Sequence, residues 1–400
     1  MIIDRKTCGR FLNRFIYYYF KILGVWSFKY SNERVLVRCY VATIYICTLC
    51  VIYVVLFILL MKFRMTHVLP CETPLVMIAD ALSIILEFLT ILSIWINAAF
   101  SQDLLRVIIN GFNDLSASLR ALEIETNNDT IVKKSNYLAL LVNSVYFCLN
   151  TYNMLVFFDV TIVGLDRMVL WFIFNTFRVL PHTCTVYFIC AVLNVKRHLS
   201  IVNDCVKKLP INMSQLNIHR GRSCSCDNEI MCLRVLAEVH MELRGILKII
   251  EQYFRAPMLF ILLTHFVDMA SYLYVICLHS MNKFTISLKL AIFITWLIIH
   301  TIEVLITNEV INDVVLQANA MGNTFHHMIT EYYPVYVVNT VKIISLRILQ
   351  KPLKFSLFGI ICLHSSLLFT VSDIFYFYNL EMFIFIIVFR FSVRWQSTSS

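Results

Sequence analysis

Seven stretches of the chain stay apolar for about the twenty residues that a helix needs to cross a hydrocarbon core. They are residues 40–62, 74–98, 137–163, 168–193, 258–278, 290–307 and 367–393. Elsewhere the periodicity changes. Leu233, Leu236, Val239, Leu243, Ile246, Leu247, Ile250 and Phe254 recur every three or four residues, opposite Glu238, Glu242, Arg244 and Lys248. That is the apolar stripe of an amphipathic helix leading into the fifth span. Beyond the sixth span, Val304, Ile311, Val314, Val315, Ala318, Met321 and Phe325 carry a similar stripe. Both patterns predict spans that continue past the bilayer as a helical bundle, which either packs within one chain or also joins subunits. Residues 116–136 are polar and read as a loop. Ahead of the first span, Phe11, Ile16, Phe20, Leu23 and Trp26 predict a short amphipathic segment lying on the membrane surface. No cleavable signal sequence is read there, because the region is basic without a clean apolar core.

Composition excludes the soluble alternative. Apolar residues make up 59% of the 400 and charged ones 15%, against about 45–50% and about 25% in soluble chains. Mean hydropathy is +0.75. A soluble fold has too little interior for so much apolar surface, so lipid is the main solvent. The 8 Gly and 7 Pro are few, which weighs against a transporter, whose midplane sites use Gly-packed or broken helices.

Seven spans put the termini on opposite faces. A cytoplasmic N-terminus places 26 of the 34 Lys and Arg inside and 7 outside, with Arg178 within a span. The positive-inside rule therefore orients the N-terminus to the cytoplasm and the C-terminus outward. The net charge of +9 is topological, and no nucleic-acid partner is expected. The predicted fold class is an all-α membrane protein of seven transmembrane helices with cytoplasmic helical extensions. Its parts are a cytoplasmic segment 1–39, spans one to four within 40–193, and a cytoplasmic loop with an amphipathic helix over 194–257. Spans five and six follow within 258–307, then a cytoplasmic helical segment 308–366, the last span 367–393 and an extracellular tail 394–400. The sequons at Asn128 and Asn212 then face the cytoplasm and stay unglycosylated.

No P-loop, dinucleotide fingerprint, nucleophile elbow or zincin motif is present, so neither an enzyme nor a cofactor is expected. Cys224, Cys226 and Cys232 lack the paired spacing of a structural zinc site. His326 and His327 are adjacent and would point to different sides of a helix. No metal site is expected. The acids Asp80, Glu87, Asp268, Glu303, Asp373 and Glu381 lie within or beside spans, where such groups are either paired structurally or line a hydrated path. Polar and aromatic residues gather in the outer halves of spans three to six: Asn150, Thr151, Tyr152, Phe158, Asp159, Trp171, Asn175, Arg178, Asp268, Tyr272, Thr295 and Trp296. Apolar walls with a few directional groups suit a small organic ligand, although aromatics also form interfacial belts. Tyr152, Asp159, Trp171, Asn175, Asp268, Tyr272, Thr295 and Trp296 make up the candidate ligand-binding set. On the last span, Ser372, Tyr376, Asn379, Phe383, Ile386 and Arg390 share one face over about 27 Å of helix. Such a face lines a central pore with Phe383 and Ile386 as an apolar constriction, or else packs inside the bundle and bonds to its neighbours.

The C-terminal hundred residues resemble the insect gustatory receptors, relatives of the insect odorant receptors. The likeness is carried by ILQKPLKFSLFGIICLHSSLLFTVSDIF and the following FIFIIVFRF, with Phe355-Ser356 and Gly359 ahead of the last span. The family's last span typically ends T-Y-x5-Q-F. Here Phe383 and Ile384 stand at the Thr and Tyr positions, Arg390 replaces Gln, and Phe391 matches the final Phe. The resemblance implies a subunit of a ligand-gated cation channel in the plasma membrane of gustatory receptor neurons. Four subunits would surround a pore lined by the last span, with Phe391 joining the pore set and a tastant pocket in spans three to six. Bitter or aversive compounds are the most frequent ligands in such a family. Four Arg390 side chains around one axis would repel a permeant cation, so a heterotetramer with other gustatory receptor subunits is expected. The alternatives are a metabotropic receptor, which needs the opposite orientation, and a transporter.

Overall fold

The computed structural model describes residues 18–25, 28–30, 36–66, 74–122, 124, 128–157, 172–173, 176–219, 226–282, 288–327, 335–359 and 361–362. Among the described residues, eight long helices follow in order: α1 (Tyr40–Thr66), α2 (Pro74–Phe100), α3 (Gln102–Ala121), α4 (Asn128–Phe157), α5 (Val179–His219), α6 (Cys226–Asn282), α7 (Leu288–His327) and α8 (Val335–Gln350). Two antiparallel ribbons add a little β structure: β1 (Phe28–Tyr30) with β2 (Leu36–Arg38), and β3 (Ser356–Leu357) with β4 (Ile361–Cys362). By length and composition, α1, α2, α5, α6 and α7 each contain a stretch able to cross a membrane. The third predicted span falls on α4, which is less apolar because a line of asparagines, Asn136, Asn143 and Asn150, turns inward at seven-residue intervals and is buried. Asn143 Oδ1 accepts the Thr183 hydroxyl at 2.7 Å and Asn136 Oδ1 accepts the Tyr187 hydroxyl at 3.2 Å, which fixes α4 against α5. The last predicted span, with Ser372, Tyr376, Asn379, Phe383, Ile386, Arg390 and Phe391, lies outside the described residues.

Helices α5, α6 and α7 contain 41, 57 and 40 residues. At 1.5 Å per residue these are about 60, 85 and 60 Å long, two to three times the hydrocarbon thickness. The excess length forms a second packed region. Leu236, Leu243 and Ile250 of α6 are wholly buried there, as are Val314, Ala318 and Phe325 of α7. Burying each large aliphatic side chain contributes roughly 2 kcal/mol. Helix α6 is the hub, packed on by α2, α3, α5 and α7. It passes through Pro257 without ending, since burial on both sides of the proline outweighs the one lost backbone hydrogen bond. Helix α8 folds back on α7 at Gly322, where a Cβ would stand 2.9 Å from Leu349 Cγ, so the small residue permits the contact.

Two expectations are corrected. Residues 116–121 and 128–136 are helical, belonging to α3 and α4. The polar composition hid an amphipathic face on α3, where Ile108, Phe112, Leu115 and Leu119 are buried and the Ser116 hydroxyl bonds back to the Phe112 carbonyl at 2.7 Å. The segment before α1 is not laid on the membrane surface at its described residues. Phe20 and Leu23 are buried in the bundle, Phe20 edge-on to Tyr187 at 5.3 Å. The Trp95 indole donates to the Leu23 carbonyl at 2.9 Å, which locks the segment to α2.

Candidate functional site

Five helices converge on one polar cavity inside the bundle, of about 40 Å³ measured as the space open to the centre of a water molecule. That is room for about three waters. Each helix contributes residues at helical spacing, so one face of each turns inward. Helix α2 supplies Glu87 and Thr90, α4 supplies Asn150 and Asn153, Arg178 immediately precedes α5, and α5 supplies Pro181 and His182. Helix α6 supplies Ile261, Thr264, His265, Asp268 and Tyr272, and α7 supplies Trp296 and His300.

The charged groups are paired across helices. Arg178 bonds Glu87, tying the entry of α5 to α2. Asp268 accepts the Ser83 hydroxyl, and its other oxygen lies 3.9 Å from His300 Nε2. Behind the wall, Glu303 of α7 receives the His182 ring nitrogen Nδ1 at 3.0 Å, the Tyr146 hydroxyl at 3.1 Å and His265 Nε2 at 3.3 Å. The pairings of His265 with Glu303 and of Asp268 with His300 are those of antiparallel neighbours, since a step of three residues forward on α6 meets a step of three back on α7. Aromatic faces hold the rings in place: Tyr146 stacks on His182 with centroids 3.4 Å apart, and Trp296 on His300 at 5.6 Å.

Several buried polar atoms of this wall have no hydrogen-bond partner among the described residues: Glu87 Oε2, Asn153 Oδ1, His265 Nδ1 and His300 Nδ1. Buried polar atoms are nearly always bonded, to water or ligand when not to protein. Around the cavity these are groups that a water or a polar atom of a small molecule would satisfy.

Of the eight candidate ligand-binding residues, Asp268, Tyr272 and Trp296 line the cavity. Tyr152 and Thr295 are exposed and stand outside its wall. Helical phase explains this, because Asn150 and Asn153 face inward and Tyr152 falls between them, while Thr295 is a 100° step from the inward Trp296. Asp159, Trp171 and Asn175 lie outside the described residues. His182, His265 and His300 are not among the residues that the sequence pattern singles out. A signal was present: His265 precedes Asp268 and His300 precedes Glu303 by three residues each, a repeated histidine–acid spacing inside two apolar spans. The side chain of Asp80, another of the acids within the spans, is also outside the described residues.

Near the C-terminal end of the described chain, β3 and β4 are joined by a tight turn with φ of 54° at Phe358 and 71° at Gly359. Gly359 suits that left-handed backbone. Phe355 is buried edge-on to Phe188, and the Ser356 amide donates to Glu251 Oε1 at 3.2 Å. Phe355 and Ser356 therefore dock the β3–β4 ribbon onto α5 and α6.

The fold and site define a multi-pass helical membrane protein with a buried polar cavity between its spans. Residues 14–372 match the family model of the 7tm chemosensory receptors, and the chain belongs to that family. Two structures of the insect olfactory receptor OR5 from Machilis hrabei, one of them in complex with eugenol, share the fold. Both have a TM-score of 0.62, with 12% and 13% sequence identity over 95% of this chain and 99% of the receptor. No curated protein sequence matches significantly.

Proposed function

We propose that this chemosensory receptor is a gustatory subunit of a ligand-gated cation channel that detects small organic tastants, bitter or aversive ones foremost. The observation that carries the reading is the cavity, in which Asp268, Tyr272 and Trp296 sit beside Pro181, Ile261 and buried polar atoms without a partner among the described residues. A receptor of the same fold is in complex with a small organic molecule, eugenol, which supports a ligand of that size class. The N-terminus is cytoplasmic in this account, the chain lies in the plasma membrane, and the last span lines the pore in an assembly with other gustatory subunits.

The size of the cavity bears on mechanism. Sites for drug-sized ligands are usually several hundred Å³, so room for about three waters is that of a resting state. A tastant binds by selecting a state in which α5, α6 and α7 stand farther apart, and its differential affinity for that state sets the shift. Movement of these helices reaches the last span through the β3–β4 turn, and the constriction at Phe383 and Ile386 rewets. Whole-cell current, recorded from cells expressing the chain alone and with partner subunits against a panel of bitter compounds, tests this. Tastant-evoked current whose half-maximal concentration rises at least tenfold in Trp296→Ala, at unchanged surface expression, is the expected result. Unaltered potency in Trp296→Ala and Tyr272→Ala would remove the cavity from ligand binding.

A further inference from the structure

We infer that His182, His265 and Glu303 form a binding site for one divalent transition-metal ion, of the zinc class, that joins α5, α6 and α7. Two imidazoles and a carboxylate are a zinc donor set with an open fourth position. The donor atoms all lie within 4.8 Å of one another, with Glu303 3.0 Å from His182 Nδ1 and 3.3 Å from His265 Nε2. Ligands on a tetrahedral ion with bonds of about 2.0–2.1 Å sit about 3.3–3.4 Å apart, so closure needs ring movements of about an ångström.

A second observation points to a ligand here. His265 is 3% exposed, its Nε2 meets the Glu303 carboxylate at 3.3 Å, and its Nδ1 has no hydrogen-bond partner among the described residues. An imidazole so deep in a membrane protein is costly unless it is held, and an ion between Nε2 and the Glu303 carboxylate would hold both groups. His182 and His265 both face the cavity, which gives a route in and space for a water at the fourth position. Tyr146 holds the outer shell: its hydroxyl bonds Glu303 and its ring stacks on His182, fixing ligand orientation. The charges also balance, since the carboxylates of Glu303 and the nearby Asp268 together match one divalent ion, while Glu87 is matched by Arg178. Two imidazoles favour zinc, copper or nickel over magnesium and calcium, which require oxygen ligands.

Such an ion would tie together three helices whose separation the tastant reading requires, so it would hold the resting state. The binding itself is read without any tastant and stands or falls separately from that reading. Full-length receptor in detergent, carrying Cys224→Ser, Cys226→Ser and Cys232→Ser to remove background thiolates, is equilibrated with zinc chloride and desalted. Bound metal is counted by mass spectrometry, and the site is probed with cobalt(II), whose visible absorption reports tetrahedral nitrogen and oxygen ligation. The expected result is about one zinc per chain, a tetrahedral cobalt spectrum, no competition by magnesium, and loss of both signals in Glu303→Gln and in His265→Asn. If one variant fails to fold, the other carries the test. Failure of the parent to retain zinc, or equal zinc and an unchanged cobalt spectrum in the variants, overturns the inference.

Discussion

Replacing Glu87 with glutamine should destabilise the receptor more than almost any other isosteric change in the bundle. Glu87 is 5% exposed on α2, and its carboxylate is the charge partner of Arg178 at the entry of α5. Removing one member of a buried ion pair costs about 3–5 kcal/mol, because the remaining charge keeps its desolvation penalty without its counter-charge. The Arg178 side chain retains 25% exposure, so residual hydration puts the cost near the lower end, about 3 kcal/mol. Scaled to a 400-residue chain, this lowers the thermal midpoint by roughly 4 °C. Removing both charges with similar volume, in Glu87→Leu with Arg178→Met, is the control, since such replacements are often neutral or stabilising. The assay is the retention of monodisperse receptor after stepwise heating in detergent, followed by fluorescence size exclusion. Glu87→Gln should melt lower and the double variant should recover. A single variant that melts like the wild type, or a double variant as unstable as the single one, would refute the reasoning.

Other perturbations test separate parts of the account. Leu236→Ala empties a fully buried position on α6 and should cost about 2–5 kcal/mol, read as a lower thermal midpoint with little change in tastant potency. Gly24→Ala places a Cβ 2.9 Å from Trp95 Nε1 at a φ of +75°, and should cost about 1–2 kcal/mol from the left-handed backbone alone; the same heating assay checks it. Phe383→Ala or Ile386→Ala should raise basal current, and unchanged leak in both would remove them from the gate. Glycosidase treatment should leave the mass of the expressed protein unchanged, because the sequons at Asn128 and Asn212 face the cytoplasm in this topology.

Much of the fold was legible because hydrophobic periodicity is a direct physical record of burial. The stripe from Leu233 to Phe254 is buried residue by residue, and the stretch from Tyr40 to Lys62 is a single helix long and apolar enough to cross a membrane. What escaped has equally specific causes. The α3 helix was hidden by Asn, Ser and Arg on its solvent side, which masked four buried apolar positions. Phe20 and Leu23 have the spacing of a surface helix, and nothing local tells a lipid interface from the cleft beside Trp95 and Tyr187 that receives them. The cavity was half legible. Asp268, Tyr272 and Trp296 stand out as polar or amphipathic residues in apolar spans, whereas the histidines acquire meaning only when antiparallel packing sets His265 against Glu303 and His300 against Asp268. Residues far apart in the chain become one site through register, and register between helices is not written in either helix alone.

The account rests on the receptor itself being the ion path. Recording tastant-evoked current from excised inside-out patches, bathed in solution without nucleotides, tests that claim most directly. The account predicts that the current survives excision and that its reversal potential moves when sodium is replaced by a large organic cation. A response that disappears on excision and returns only with GTP would contradict it.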